Sequence, residues 1–135
     1  MAGDRRSTPP ELIVPPTLAP PGGHYSHAVV ANGMVYVAGQ LPITPEGVKL
    51  GDAPFEVQAR QALANVKGAL EAAGSRIDRL VHVRVYLDDL EQWAAFNTLY
   101  VAWVGSHRPA RAVVPVPALH YGLKIEIEAI AQRVD

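Results

Sequence analysis

Few residues in this chain are placed to do chemistry, and most familiar catalytic arrangements are missing. There is no cysteine among the 135 residues. Thiolate metal sites, disulfides, redox pairs and cysteine nucleophiles are therefore excluded. The five histidines (His24, His27, His82, His107 and His120) show neither HxH nor HExxH spacing with a carboxylate at a ligand offset, so no metal is expected. His24 and His27 lie three apart, but at a loop-to-strand boundary that spacing defines no common face. GxSxG, GxGxxG and Walker A patterns are absent, and Ser26, Ser75 and Ser106 have no triad context. What remains is a set of polar residues embedded in apolar strands. Arg111 opens the run Arg111-Ala112-Val113-Val114, and Glu126 sits between Ile125 and Ile127. An arginine between low-dielectric walls suits bidentate capture of a carboxylate. A carboxylate in such a place can orient or deprotonate a water. The same pattern also suits an ion pair across an interface, or solvated residues on a strand's outer face. Glu128 competes with Glu126, one strand repeat away. Tyr25 could cover a ligand with its ring or simply pack. Asn97, between Trp93 and Tyr100 on an apolar helix stripe, must find hydrogen-bond partners.

The elements that would position these residues can be read from periodicity. Residues 27–31 and 34–39 are β-rich runs joined by Asn32-Gly33, the dipeptide that best suits a two-residue hairpin turn. Residues 41–47 carry turn chemistry. Residues 54–73 form a helix, with Ala59, Ala62, Leu63, Val66, Ala69, Leu70 and Ala73 on one stripe and Gly74 as the stop. Residues 80–87 form a strand, with Val81, Val83, Val85 and Leu87 on the core face and Leu80, His82, Arg84 and Tyr86 on the other. A second helix covers 90–104, its stripe made of Trp93, Phe96, Asn97, Tyr100, Trp103 and Val104. Residues 112–116 form a strand whose Pro115, followed by Pro117, removes donors from one edge. Residues 123–131 form the last strand, with Leu123, Ile125, Ile127 and Ala129 inward and Lys124, Glu126 and Glu128 opposite. The order β-β-(β)-α-β-α-β-β predicts an α+β domain with two helices on one sheet face. The other sheet face carries Arg, Glu, Tyr and His, and its exposure predicts oligomerisation through it.

Composition narrows the partners. Twelve Lys and Arg against thirteen Asp and Glu give a net charge of −1, which weighs against binding nucleic acid through its backbone charge. Hydrophobic residues at 49% and charged residues at 19% suit one compact domain. Residues 1–23 hold Pro9, Pro10, Pro15, Pro16, Pro20 and Pro21 and read as a proline-rich segment, whose Leu12-Ile13-Val14 could lie along a sheet edge. Residues 24–135 read as a single domain. No apolar run is long enough to span a bilayer, and MAGDRRSTPP lacks the apolar core of a secretory signal. A cytoplasmic location without membrane association is expected.

Three stretches resemble the Rid family of reactive intermediate/imine deaminases, also called the YjgF family. They are Tyr25-Ser26-His27-Ala28-Val29 with Val37-Ala38-Gly39-Gln40-Leu41-Pro42; Asn97-Thr98-Leu99-Tyr100; and Pro109-Ala110-Arg111-Ala112-Val113 with Ile125-Glu126-Ile127-Glu128-Ala129-Ile130-Ala131. Together they span roughly residues 25–131 in the family's order. The resemblance implies a chorismate-mutase-like α+β fold assembled as a homotrimer, with sites in the clefts between subunits and no metal or organic cofactor. It implies hydrolysis of enamine or imine intermediates, such as 2-aminoacrylate, to 2-keto acids and ammonia. By position, Arg111 matches the arginine that clamps the substrate carboxylate, and Glu126 the acid that positions the attacking water. Gly39 matches the glycine whose backbone N–H meets the ligand, and Tyr25 the aromatic at the mouth. Asn97 falls in the second-helix motif. Val113 stands where the family often has cysteine, a change that a backbone contact survives and a thiol role does not. Ala38 stands where serine is common, and Pro115, Pro117 and His120-Tyr121 depart from the usual segment, which bears on substrate size. The competing readings are a trimer that binds small carboxylates or keto acids without turnover, and an RNA-acting protein of the endoribonuclease or translation-inhibitor kind. Binding alone would need Arg111 without Glu126, and the charge balance weighs against RNA.

Overall fold

A computed structural model describes residues 8–134. Six strands form one sheet: β1 (Glu11–Ile13), β2 (Ala28–Ala31), β3 (Met34–Gln40), β4 (Leu80–Leu87), β5 (Ala110–Pro115) and β6 (Ile125–Gln132). Their spatial order is β1-β2-β3-β6-β4-β5. Every neighbouring pair is antiparallel except β4 and β5. Helices α1 (Phe55–Ala72) and α2 (Trp93–Val104) pack against this sheet and each other. The architecture is the expected chorismate-mutase-like α+β fold, two helices on a mixed, mostly antiparallel sheet. The stretch after β3 is a loop closed by a single bridge between Ile43 and Lys49, and the additional strand, β1, precedes the hairpin.

Local chemistry sets the ends of these elements. Asn32 and Gly33 both take positive φ, 52° and 76°, as a two-residue turn matched to strand twist requires. α1 ends in a Schellman motif: Ser75 N–H donates to Leu70 O at 2.8 Å and Gly74 N–H to Glu71 O at 3.1 Å, with Gly74 at φ +81°. The α1 stripe is buried throughout, with Ala59, Ala62, Val66, Ala69 and Leu70 wholly inaccessible. Its alanines let the helix lie close to the sheet. On α2 the buried residues are Phe96, Tyr100 and Val104, whereas Trp93, expected on the stripe, is 42% exposed. α2 proper begins at that residue, after a 3₁₀ turn over Leu90–Gln92.

Two bulges interrupt the regular alternation of the strands. In β4 the register with β6 shifts between Leu80 and His82. Two residues of β4 advance against one of β6, so Leu80 turns inward (2% exposed) and Val81 outward (44%), the reverse of the expectation. In β3 the shift falls between Val37 and Gln40. That bulge buries Gln40 beside Val35 and Val37 and leaves Ala38 and Gly39 out of the regular ladder.

Pro15–Gly22 run back across the domain. Leu18 is buried and packs against Gly68, where a Cβ would meet Leu18 Cδ2 at 3.3 Å. His27 Nε2 faces Ala19 O at 2.7 Å and its Nδ1 faces the Gln40 amide at 3.1 Å. A carbonyl on one side and an amide NH₂ on the other suit a ring that donates from Nε2 and accepts at Nδ1.

Candidate active site

Glu126 sits on β6 opposite Tyr86 of β4, on the sheet face that no helix covers. Its neighbour across the other edge is the β3 bulge. A Cβ placed on Gly39 would lie 2.5 Å from Glu126 Oε2, so only glycine lets the carboxyl lie this close to the β3 backbone. Burial raises the Glu126 pKa above its ordinary value of 4.5; nearby His120 pulls it down and Glu128 pushes it further up. Tyr25, Ala38, Gly39, His120, Tyr121 and Glu126 line one cleft of about 350 Å³. Tyr25 is 49% exposed at its mouth.

Glu128, the competing carboxylate, is already engaged. It accepts from the Tyr86 hydroxyl and from Arg84 Nη1 at 3.2 Å. Glu126 has no such partner among the described residues.

Arg111 lies elsewhere. It pairs in register with Val83, a wholly buried residue of the helix-covered face, and residues in register share a face. Its Nη1 donates to Asn97 Oδ1 at 2.9 Å, and its guanidinium sits 4.8 Å from the Tyr100 ring centre. Tyr100 is buried, which raises its hydroxyl pKa, and the Arg111 charge opposes that rise. Asn97 thus finds its partner in Arg111. A guanidinium carries five N–H donors, so this contact leaves most of the fork unspent.

Val113 follows on the same face, in register with Val85. β5 is an edge strand, and Val116 N–H donates inward to Leu87 O at 2.9 Å. By alternation the backbone groups of Arg111 and Val113 face the free edge, as the missing donors of Pro115 and Pro117 would. Tyr25, Gly39 and Glu126 are therefore brought together, and Arg111, Asn97 and Val113 are brought together. Within one chain the two groups occupy opposite faces of the sheet.

Residues not singled out from sequence hold the cleft in shape. Asn65, buried on α1, donates to Leu41 O at 3.0 Å and Ile43 O at 2.9 Å, pinning the loop after the bulge. Gln40 also donates to Ala38 O at 3.1 Å. Gln58, wholly buried, bridges Ala53 O and Lys124 N–H at 3.0 and 2.9 Å. The signal for Asn65 was present: an amide on an alanine-rich apolar stripe must be hydrogen-bonded. Among the described residues no group of three or more His, Asp or Glu could hold a metal ion, and no helix is long and apolar enough to cross a membrane.

The helix-backed sheet has known counterparts. Residues 17–133 match the family described as endoribonuclease L-PSP, and the chain belongs to that family, the YjgF/Rid family. It is 41% identical over 116 residues to the 2-iminobutanoate/2-iminopropanoate deaminase of Escherichia coli, covering 82% of this chain and 88% of that one. It is 40% identical over 111 residues to protein HMF1 of Saccharomyces cerevisiae, covering 82% and 85%. The crystal structure of E. coli TdcF with bound serine superposes with a TM-score of 0.85 at 33% identity, covering 92% of this chain and 99% of that one.

Proposed function

We propose that the chain forms a homotrimer and hydrolyses 2-imino acids, and their enamine tautomers, to 2-keto acids and ammonia in clefts between copies. The observation that carries this reading is the separation of Arg111 from Glu126 on opposite sheet faces, each in a setting suited to one end of such a substrate. A second copy docked on the uncovered face would bring its Arg111 edge to the Glu126 cleft. Arg111 then clamps the α-carboxylate, with Asn97 and the Tyr100 ring holding the guanidinium in place. The backbone of Gly39 and of Val113 borders the substrate, and Tyr25 covers it. The serine bound to TdcF carries the same α-carboxylate and α-nitrogen.

The reaction asks little of the protein. Glu126 accepts a proton from a water whose oxygen adds to the imine carbon, while the C=N π pair moves to nitrogen. Nitrogen takes up that proton. Glu126 then carries the carbinolamine hydroxyl proton to the amino nitrogen, and the C–N bond breaks as the oxygen lone pair forms the ketone, releasing ammonia. A carboxyl whose ionisation burial opposes is a stronger base once ionised, nearer in pKa to the operating pH.

The experiment generates imines in situ with an amino-acid oxidase or a pyridoxal-phosphate dehydratase and traps what escapes with semicarbazide. Wild type should suppress trapping. Arg111→Ala should lose about 10–100-fold in kcat/KM, as expected for loss of hydrogen bonds to a charged group. Glu126→Gln should lose about 100-fold, mainly in kcat. Folded wild type that leaves trapping unchanged for every amino acid would overturn the deaminase and leave keto-acid binding to be tested.

A further inference from the structure

The cleft beside Glu126 continues past it. Tyr25, Gly39, Leu41, Ile43 and Tyr121 line that cleft and also a second hollow, which reaches Lys49. Glu126 and His120 mark one end of the joined groove and Lys49 the other. Lys49 makes no ion pair with a carboxylate among the described residues. It is held instead by an aromatic ring: its Nζ lies 4.3 Å from the centre of the Tyr121 ring. Tyr121 reaches that position from an unusual backbone, φ +63° in the left-handed region, with Gly122 beside it at +67°. Such a conformation disfavours a residue with a Cβ, so its presence at a cleft is a pointer to function. The loop around Gly51 packs on the Tyr121 carbonyl, where a Cβ would meet it at 3.5 Å. A ring face engages one side of an ammonium and leaves N–H donors for another acceptor.

We propose that Lys49, held by Tyr121, is a distal subsite for an anionic group, and that this chain favours 2-imino acids whose side chain ends in a carboxylate. The inference rests on the deaminase reading: the α-carboxylate goes to Arg111 of the neighbouring copy, the reacting carbon lies at Glu126, and the side chain runs along the groove to Lys49. A cation without a carboxylate partner attracts that group and repels a basic side chain.

The test measures kcat/KM by semicarbazide trapping for 2-iminoglutarate, 2-iminopropanoate and the arginine-derived imine. Wild type should prefer 2-iminoglutarate over 2-iminopropanoate and reject the arginine-derived imine. Lys49→Glu should lower the 2-iminoglutarate to 2-iminopropanoate ratio by about tenfold or more, the scale of one charge-assisted contact, and Lys49→Arg should retain the ratio. A ratio unmoved by Lys49→Glu, or equal losses on all three substrates, overturns the distal subsite while leaving the deaminase reading intact. Calorimetric titration with 2-oxoglutarate and 2-oxobutanoate separates the two claims. If no imine is hydrolysed but 2-oxoglutarate binds tighter and Lys49→Glu removes the difference, the subsite stands and deamination falls. If neither hydrolysis nor that binding difference is seen, both fall.

Discussion

Glu126 is where sequence and environment act most directly on each other. Its place between Ile125 and Ile127 was visible in the chain, and so was the presence of Gly39. What could not be read was their contact, because it depends on an extra residue in β3 that shifts the register against β6. The contact makes a sharp prediction. Gly39→Ala sets a methyl 2.5 Å from Glu126 Oε2, and the flexible carboxyl end must give way. The thermal midpoint should change little, while kcat/KM falls by about 100-fold, the scale reported for a misplacement of roughly 1 Å in a catalytic group. A loss of folding with no specific loss of activity would mean the glycine serves the backbone instead. The pH dependence follows from the same residue. Burial, the largest influence, raises the Glu126 pKa above 4.5, so the proton stays on to higher pH than on an ordinary glutamate. Activity that needs the ionised carboxyl should rise with pH along a limb lying above 4.5 and be lost below it. Glu126→Gln should show no such limb in its residual rate.

At the scale of elements, periodicity gave reliable answers where a ladder or stripe is regular. The α1 stripe, the inward set of β6 and the Asn32-Gly33 hairpin lie where spacing puts them. It failed at Leu80 and Val81, which trade faces at the β4 bulge, and it assigned no face to Gln40, which the β3 bulge turns inward. A bulge is a tertiary compromise between two strands, and a single strand's sequence carries little trace of it. The buried amides were legible in principle, since the argument applied to Asn97 holds equally for Asn65. Asn65 ties α1 to the loop that follows the β3 bulge. Asn65→Ala would take the amide donor from Ile43 O and leave Leu41 O with the Ile43 N–H alone, costing about 1–3 kcal/mol. Chemical denaturation should show that loss, together with a raised KM as the loop loosens. Unchanged stability would mean that water replaces the amide without cost.

The whole molecule is organised around a face that one chain leaves open. Tyr36 and Val81 are 46% and 44% exposed there, beside the Arg84–Glu128–Tyr86 cluster. Exposed ion pairs of this kind stabilise a monomer little, and apolar side chains on an open sheet suit contact with another copy. Oligomerisation was inferred from the same face in the sequence. The sequence could not tell that Arg111 and Glu126 point to opposite sides, because that depends on which strand is parallel and on its register with β4. This division is the central claim: each site takes Arg111 from one copy and Glu126 from the next. The most direct measurement mixes the two impaired variants, Arg111→Ala and Glu126→Gln, by co-refolding equal amounts and assaying imine hydrolysis. In a cyclic trimer with random assembly, about one site in four receives an intact Arg111 and an intact Glu126. The mixture should recover about a quarter of wild-type activity per chain. A mixture no more active than its parents, with exchange of subunits verified, would place both residues' work within a single chain and contradict the account.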